Sequence, residues 1–290
     1  MLFINRFLLF LFFFGSISIA TANKVTQNLF INRGVFTTVK STTFPYFAFN
    51  STTTFAPLNT VISILKTDTL IINVTNNDTI KHGFNVKNYA GTSFTINPAA
   101  SISTTIIPTQ RSVFIYYDHL NYPKNTYMGL AGMISVKDKA TDIVYYWNLK
   151  DHFTLYNQQL AITNATVNWS NYYPDYFTIN GKSFPDVQLD PTVKINNNVN
   201  DTIYIYVTNT GQSMHSLHFH GFHPKAAYVD CQKIKANWVK DTWGLFSMDA
   251  IILKMVPDKK GKYSVHDHNL VAVTGGNTHP NGMFTIMQIN

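Results

Sequence analysis

Cysteine is almost missing from this chain. Cys231 is the one thiol in 290 residues, so no internal disulfide can form, and the fold must be held by packing or by metal. Cys231 lies outside every histidine-rich stretch and reads as a buried apolar residue, with an intermolecular disulfide as the alternative. Charge is also scarce: Asp, Glu, Lys and Arg make up 13%, so the net charge of +7 is spread thinly and no Lys/Arg run offers a nucleic-acid footprint. Helical periodicity of useful length is absent from residues 23–137. What is present is apolar and aromatic mass, 45% hydrophobic with 22 Phe and 16 Tyr, ample for the cores of a β-protein.

The one strongly apolar run comes first. Asn5 and Arg6 precede an unbroken stretch over residues 7–14, and Ala20-Thr21-Ala22 supplies the small residues a signal peptidase accepts. The expectation is an export signal, residues 1–22, leaving a soluble chain that is secreted, periplasmic or at the cell surface. An uncleaved anchor is the alternative, although the run is short for a span of about 20 residues. No later segment is long and apolar enough to span, so no stable membrane span is expected after cleavage. Removing 22 of 290 residues leaves a length that suits two domains, divided as 23–150 and 151–290.

Histidine carries the chemistry. Seven of the ten histidines follow position 214, and four form two His-x-His pairs, His218/His220 and His266/His268. In a strand, side chains at i and i+2 leave on one face, so each pair presents two imidazoles together, and neighbouring strands would bring four to one place. An all-imidazole set with no thiolate suits Cu(II), with zinc as the alternative. The parity of the spacing puts His215 and Asp267 on the opposite face. His152 and His223 read as ordinary packed or surface histidines. The Asp151-His152 pair could be an acid/base couple, but an interdomain hydrogen bond suits its position better.

At these residues a family resemblance emerges. MHSLHFHGF resembles the HPFHLHGH stretch of multicopper oxidases, KGKYSVHDHN with NGMFTIMQI resembles their GxWxxHCHIxxHxxxGM ending, and YFTINGKSFPD over residues 176–186 is similar to their YFTINGKxYPD entry. The resemblance implies an all-β fold of two cupredoxin-like Greek-key β-sandwich domains. The family's blue (type 1) copper cysteine is replaced by Asp267, so no type 1 copper is expected. His279 and Met283 resemble the last two type 1 ligands. Asp267 could complete a His215/His279 site of type 2 character, or it could pair with His215 in place of metal.

The first half resembles plastocyanin-like domains in KHGFNV and GLAGMISV. Short strands are expected at 69–75 and 113–117. Tyr117 or Asp118 falls at the cysteine position, nothing near Tyr127 supplies the downstream histidine, and Met128 or Met133 would be core. A second alignment sets Ile80-Lys81-His82-Gly83 against the family's HWHG and Tyr116-Tyr117-Asp118-His119 against its YHSH, making His82 and His119 ligands at an interface with the second half. The favoured expectation is this second alignment.

The resemblance thus implies copper of type 2 or type 3 character on His218, His220, His266 and His268, with His82, His119, His215 and His279 as further candidates. It implies a homo-oligomer, a trimer in two-domain relatives, with metal at the subunit boundary. Two function classes follow: an oxidoreductase acting on a small molecule at that copper, or a non-enzymatic copper-binding or structural module.

Overall fold

The structure is a computed structural model describing residues 22–162 and 164–290. The expected export signal, residues 1–22, lies outside the described residues apart from Ala22. In the first half the strands are β1 (Lys24–Thr37), β2 (Thr43–Asn50), β3 (Ile62–Leu65), β4 (Thr69–Asn76), β5 (His82–Val86), β6 (Phe94–Ile96), β7 (Ser101–Ile106), β8 (Ser112–Tyr117) and β9 (Ala131–Lys137). In the second they are β10 (Ile143–His152), β11 (Tyr176–Ile179), β12 (Asn196–Asn197), β13 (Ile203–Asn209), β14 (His215–Phe219), β15 (Lys225–Val229), β16 (Gln232–Lys233), β17 (Thr242–Leu245), β18 (Ala250–Met255), β19 (Gly261–Asp267) and β20 (Phe284–Ile289). Two short helices, α1 (Lys124–Tyr127) and α2 (Thr154–Leu160), interrupt them.

The strands assemble into four sheets, β2-β1-β4-β7 and β3-β9-β8-β5-β6 from the first half, β11-β10-β13-β18-β15-β16 and β12-β20-β19-β14-β17 from the second. The two halves repeat one order: β10, β13 and β18 follow the pairing of β1, β4 and β7, and β20, β19 and β14 that of β9, β8 and β5. Each half is a cupredoxin-like sandwich. Strand β10 runs through position 150 and pairs with β11 and β13, so pairing changes partner between Lys137 and Ile143 rather than at the expected 150/151. The Tyr- and Trp-rich stretch there is a sheet strand, because its Trp147 and Leu149 are needed in the second core.

Alternation explains the elements. In β4 (TLIINVTN) Leu70, Ile72 and Val74 are buried and the residues between are half-exposed, the mark of a strand with one covered face. In β13 nearly every residue is buried, because one face packs in its own sandwich while the other carries Tyr206 against the first half. There Val113, Ile115, Ala131 and Met133 meet Tyr206, Tyr228, Met248, Ala250 and Ile252 in a third core that joins the halves.

Polar contacts seal the same seam. The Arg111 guanidinium bonds Asp138 at 3.1 Å, Asp142 at 2.8 Å and the Tyr206 hydroxyl at 3.0 Å, and it lies 3.7 Å over the Tyr204 ring. Buried Lys150 donates to the carbonyls of Thr126 at 2.8 Å and Thr210 at 2.9 Å. Cys231, expected to be buried, is half-buried at this seam with Sγ 3.0 Å from the Val113 carbonyl. Burial, with the neighbouring Asp230 carboxylate, pushes its thiol up to about 12.

Candidate metal centre

Strands β14 and β19 lie antiparallel with His218 opposite His266 and Leu217 opposite Asp267. Because side chains alternate, Leu217, Phe219, Val265 and Asp267 go into the core while the imidazoles are left on the open face. His220, just beyond the end of β14, turns back until its Nε2 is 3.0 Å from His266 Nε2. The ring centroids of His218 and His220 are 4.4 Å apart, and His268 stands 5.4 Å from His218. Ligand atoms of His218, His220 and His266 all lie within 4.8 Å of one another, the one such group of His, Cys, Asp or Glu among the described residues.

This donor set fits a metal that prefers nitrogen. Neutral imidazole presents a lone pair, and the His218 pKa is lowered, first by burial and then by the neighbouring His220 and His266. His266 Nδ1 lies 2.8 Å from the Asp267 carbonyl, which fixes the tautomer with Nε2 aimed at its partners. Asp241, unforeseen from sequence, reaches to 3.8 Å from His218 Nε2.

Behind this face stands a closed pair. His215 Nδ1 is 2.6 Å from Asp267 Oδ2, and both residues are fully buried. Asp267 Oδ1 accepts from the backbone of Ser216 at 3.1 Å and Asn269 at 2.9 Å. Burial opposes charge on His215, but the Asp267 hydrogen bond and the charges of Asp151 and Asp267 outweigh it and hold its pKa up. Met283 is in the apolar core, and His279 is exposed and joins no ligand group. The His215/His279 site anticipated as one option is therefore not assembled.

Residues 141–280 match the multicopper oxidase family model. This stretch is a multicopper oxidase domain. Among solved structures the chain resembles the blue copper oxidase from Nitrosomonas europaea, with a TM-score of 0.78 at 22% identity over 92% of this chain and 86% of that one. It also resembles a multicopper oxidase called mgLAC, with a TM-score of 0.77 at 19% identity over 93% and 87%. A third is the copper nitrite reductase from Nitrosomonas europaea, with a TM-score of 0.72 at 16% identity over 92% and 94%. At these identities the likeness shows fold. No curated protein sequence matches the chain.

The first half repeats the buried arrangement of the multicopper oxidase domain. His82 Nδ1 is 2.7 Å from Asp118 Oδ2, and Asp118 Oδ1 accepts from the backbone of Gly83 at 2.7 Å and Leu120 at 2.8 Å. Asn85 lies opposite Tyr117 as His218 lies opposite His266. His82 thus corresponds to His215, Asp118 to Asp267 and His119 to His268, while Asn85, Lys87 and Tyr117 stand where the second half has His218, His220 and His266. The expected alignment of Lys81-His82-Gly83 with an interface His-x-His pair does not follow this register, which sets His82 where the second half has His215.

His82 is also barred from metal by its partners. Its Nε2 lies 2.9 Å from Asp78 Oδ2, and because both carboxylates accept, both ring nitrogens donate and no lone pair remains. Burial disfavours that charge, but the Asp118 and Asp78 hydrogen bonds outweigh it and raise the His82 pKa. For Asp78, too, burial is overcome: His82, the Thr79 backbone and Arg33 bring it down to about 2. The turn containing Asp78 carried no functional signal in the sequence.

The remaining candidates separate. His119 is half-exposed, with a buried Nδ1 that has no partner and an Nε2 3.5 Å from Ser93 Oγ. Asp151 accepts from the backbone of Gln212 at 2.6 Å and Ser213 at 2.9 Å. His152 points the other way into Phe36, Phe44 and Tyr46, and burial, with Lys150, pushes its pKa down to about 3. They form no acid/base couple. Met128 and Met133 are core residues.

Proposed function

We propose that this chain is an exported copper-binding oxidoreductase that acts on a small molecule at a histidine-held copper without a blue copper centre. The observation that carries the reading is the convergence of His218, His220 and His266 on one open face, with His268 at its edge. Copper on imidazoles with an open position would supply one-electron chemistry toward a small oxidant such as oxygen, peroxide or nitrite. His266, fixed through Nδ1, orients the set, and Asp241 beside His218 offers a carboxylate for a proton. The multicopper oxidase and copper nitrite reductase neighbours support the chemistry as an analogy of fold.

In this reading the face is covered in a homo-oligomer, with a trimer as the expected state, and the half-exposed His119 of a neighbouring copy, through Nε2, is the residue offered to the copper. Zinc would fit the same donors. A second reading, a non-enzymatic copper-binding module, is favoured by the His–Asp pairs at both blue-copper positions, since carboxylates there give no electron entry. Metal analysis and EPR of the mature protein, followed by assay of oxygen, peroxide and nitrite consumption, tests both. Bound copper with turnover supports the oxidoreductase, bound copper without turnover the module, and no stoichiometric metal overturns both.

A further inference from the structure

In the first half, where β1, the loop before β5, α1 and the segment after α2 meet, lies a cavity of about 560 Å³. Its size falls among ligand pockets, which run to roughly 300–1,000 Å³. Three cations line it, Arg33, Lys81 and Lys124, and among the described residues no acidic side chain does. Its apolar wall includes Phe47, Leu160, Val167 and the Trp169 indole. None of these residues belongs to the histidine face.

The polar groups of this cavity are incompletely used. Lys124 Nζ has only long contacts, 3.5 Å to the Ile162 carbonyl and 3.4 Å to that of Ala165, at the weak end for an ammonium donor. Arg33 is fixed by one ion pair to Asp78 at 3.0 Å and by its seat 4.9 Å over the Phe47 ring. That contact engages one of the five N–H donors a guanidinium carries. Asn125 is buried. Its Nδ2 donates to Asp118 at 2.8 Å, which fixes the amide orientation, and its Oδ1 has no hydrogen-bond partner. A buried acceptor without a donor costs about 1–3 kcal/mol, and a ligand hydroxyl that opens a path to it would satisfy it.

We propose that this cavity binds a small hydroxylated aromatic carboxylate, with the carboxylate between Lys124 and Arg33, the ring against Trp169 and Val167, and the hydroxyl toward Asn125 Oδ1. Each part of the ligand answers one feature of the wall. The anion answers two lysines without an acid and an arginine only partly engaged by Asp78, the ring answers an apolar wall, and the donor answers the orphaned amide oxygen. Burial, with the nearby Arg33 charge, lowers the Lys124 pKa. The site is independent of copper and goes beyond the proposed activity.

The test is calorimetric titration of the purified protein with 4-hydroxybenzoate, its methyl ester and inorganic phosphate. The expected result is one 4-hydroxybenzoate per chain, with the ester and phosphate each at least tenfold weaker. Lys81→Met with Lys124→Met should weaken 4-hydroxybenzoate at least tenfold, Val167→Trp should abolish binding by filling the cavity, and His218→Ala with His266→Ala should leave it unchanged. Circular dichroism establishes that each variant is folded, and the lysine pair decides the matter if the tryptophan variant is not. Equal binding of the ester, equal binding of phosphate, unaltered affinity in the lysine variant, or no binding at all each overturns the proposal.

Discussion

Asp118 and Asp267 hold one position in two halves of the chain: each bonds a buried histidine through Oδ2, His82 at 2.7 Å and His215 at 2.6 Å, and each takes two backbone N–H groups on Oδ1. A carboxylate so occupied has little capacity left to act as a metal ligand. The copper-loaded protein should therefore lack the intense visible band of a copper–thiolate bond. An absorption spectrum checks this, and a blue solution with narrow hyperfine EPR splitting would refute it.

Copper should follow the open-face histidines. His218→Ala combined with His266→Ala is expected to cut bound copper at least tenfold while circular dichroism still reports a β-protein, because neither side chain is part of a core. His82→Ala should leave copper unchanged and instead lower stability by about 3–5 kcal/mol, the usual cost of stranding buried charge. Copper loss in the His82 variant equal to that in the double variant would contradict the assignment.

Assembly should be linked to metal. If His119 of one copy completes the site of another, copper raises the oligomeric mass seen by light scattering, and His119→Ala weakens both assembly and copper binding, since a ligand bound only by the assembled form shifts the equilibrium. A mass independent of copper, with His119→Ala indistinguishable from the parent, would leave the site within one chain.

The His82 ion triad predicts a pH signature. A histidine whose folded pKa is raised above its usual 6.5 contributes stability fully present below 6.5 and lost as pH rises through the folded value. The stability gap between parent and His82→Gln, from urea unfolding, should be widest from about pH 5 to 6.5 and narrow in mildly alkaline buffer. A gap that widens upward would mean His82 is neutral.

The paired histidines were legible because a period of two needs only a strand, and β14 and β19 are strands. The pairing of His215 with Asp267 was open to parity as one of two outcomes. His82 was misread because a single histidine carries no register: its partners Asp78 and Asp118 come from a turn and from β8's end, and only the Asn85–Tyr117 pairing reveals its equivalence to His215. The cationic cavity was invisible because Arg33, Lys81 and Lys124 are far apart in sequence and are gathered only by the fold.

Arg111 carries a further consequence. By gripping Asp138 and Asp142 it pins both ends of the five-residue crossing between β9 and β10, and the shared core around Tyr206 fills the seam beside it. Such a crossing is no hinge, so the two sandwiches keep a fixed mutual orientation. The first half therefore cannot bend over the histidine face of the second, so in the proposed assembly the cover for that face comes from a neighbouring copy.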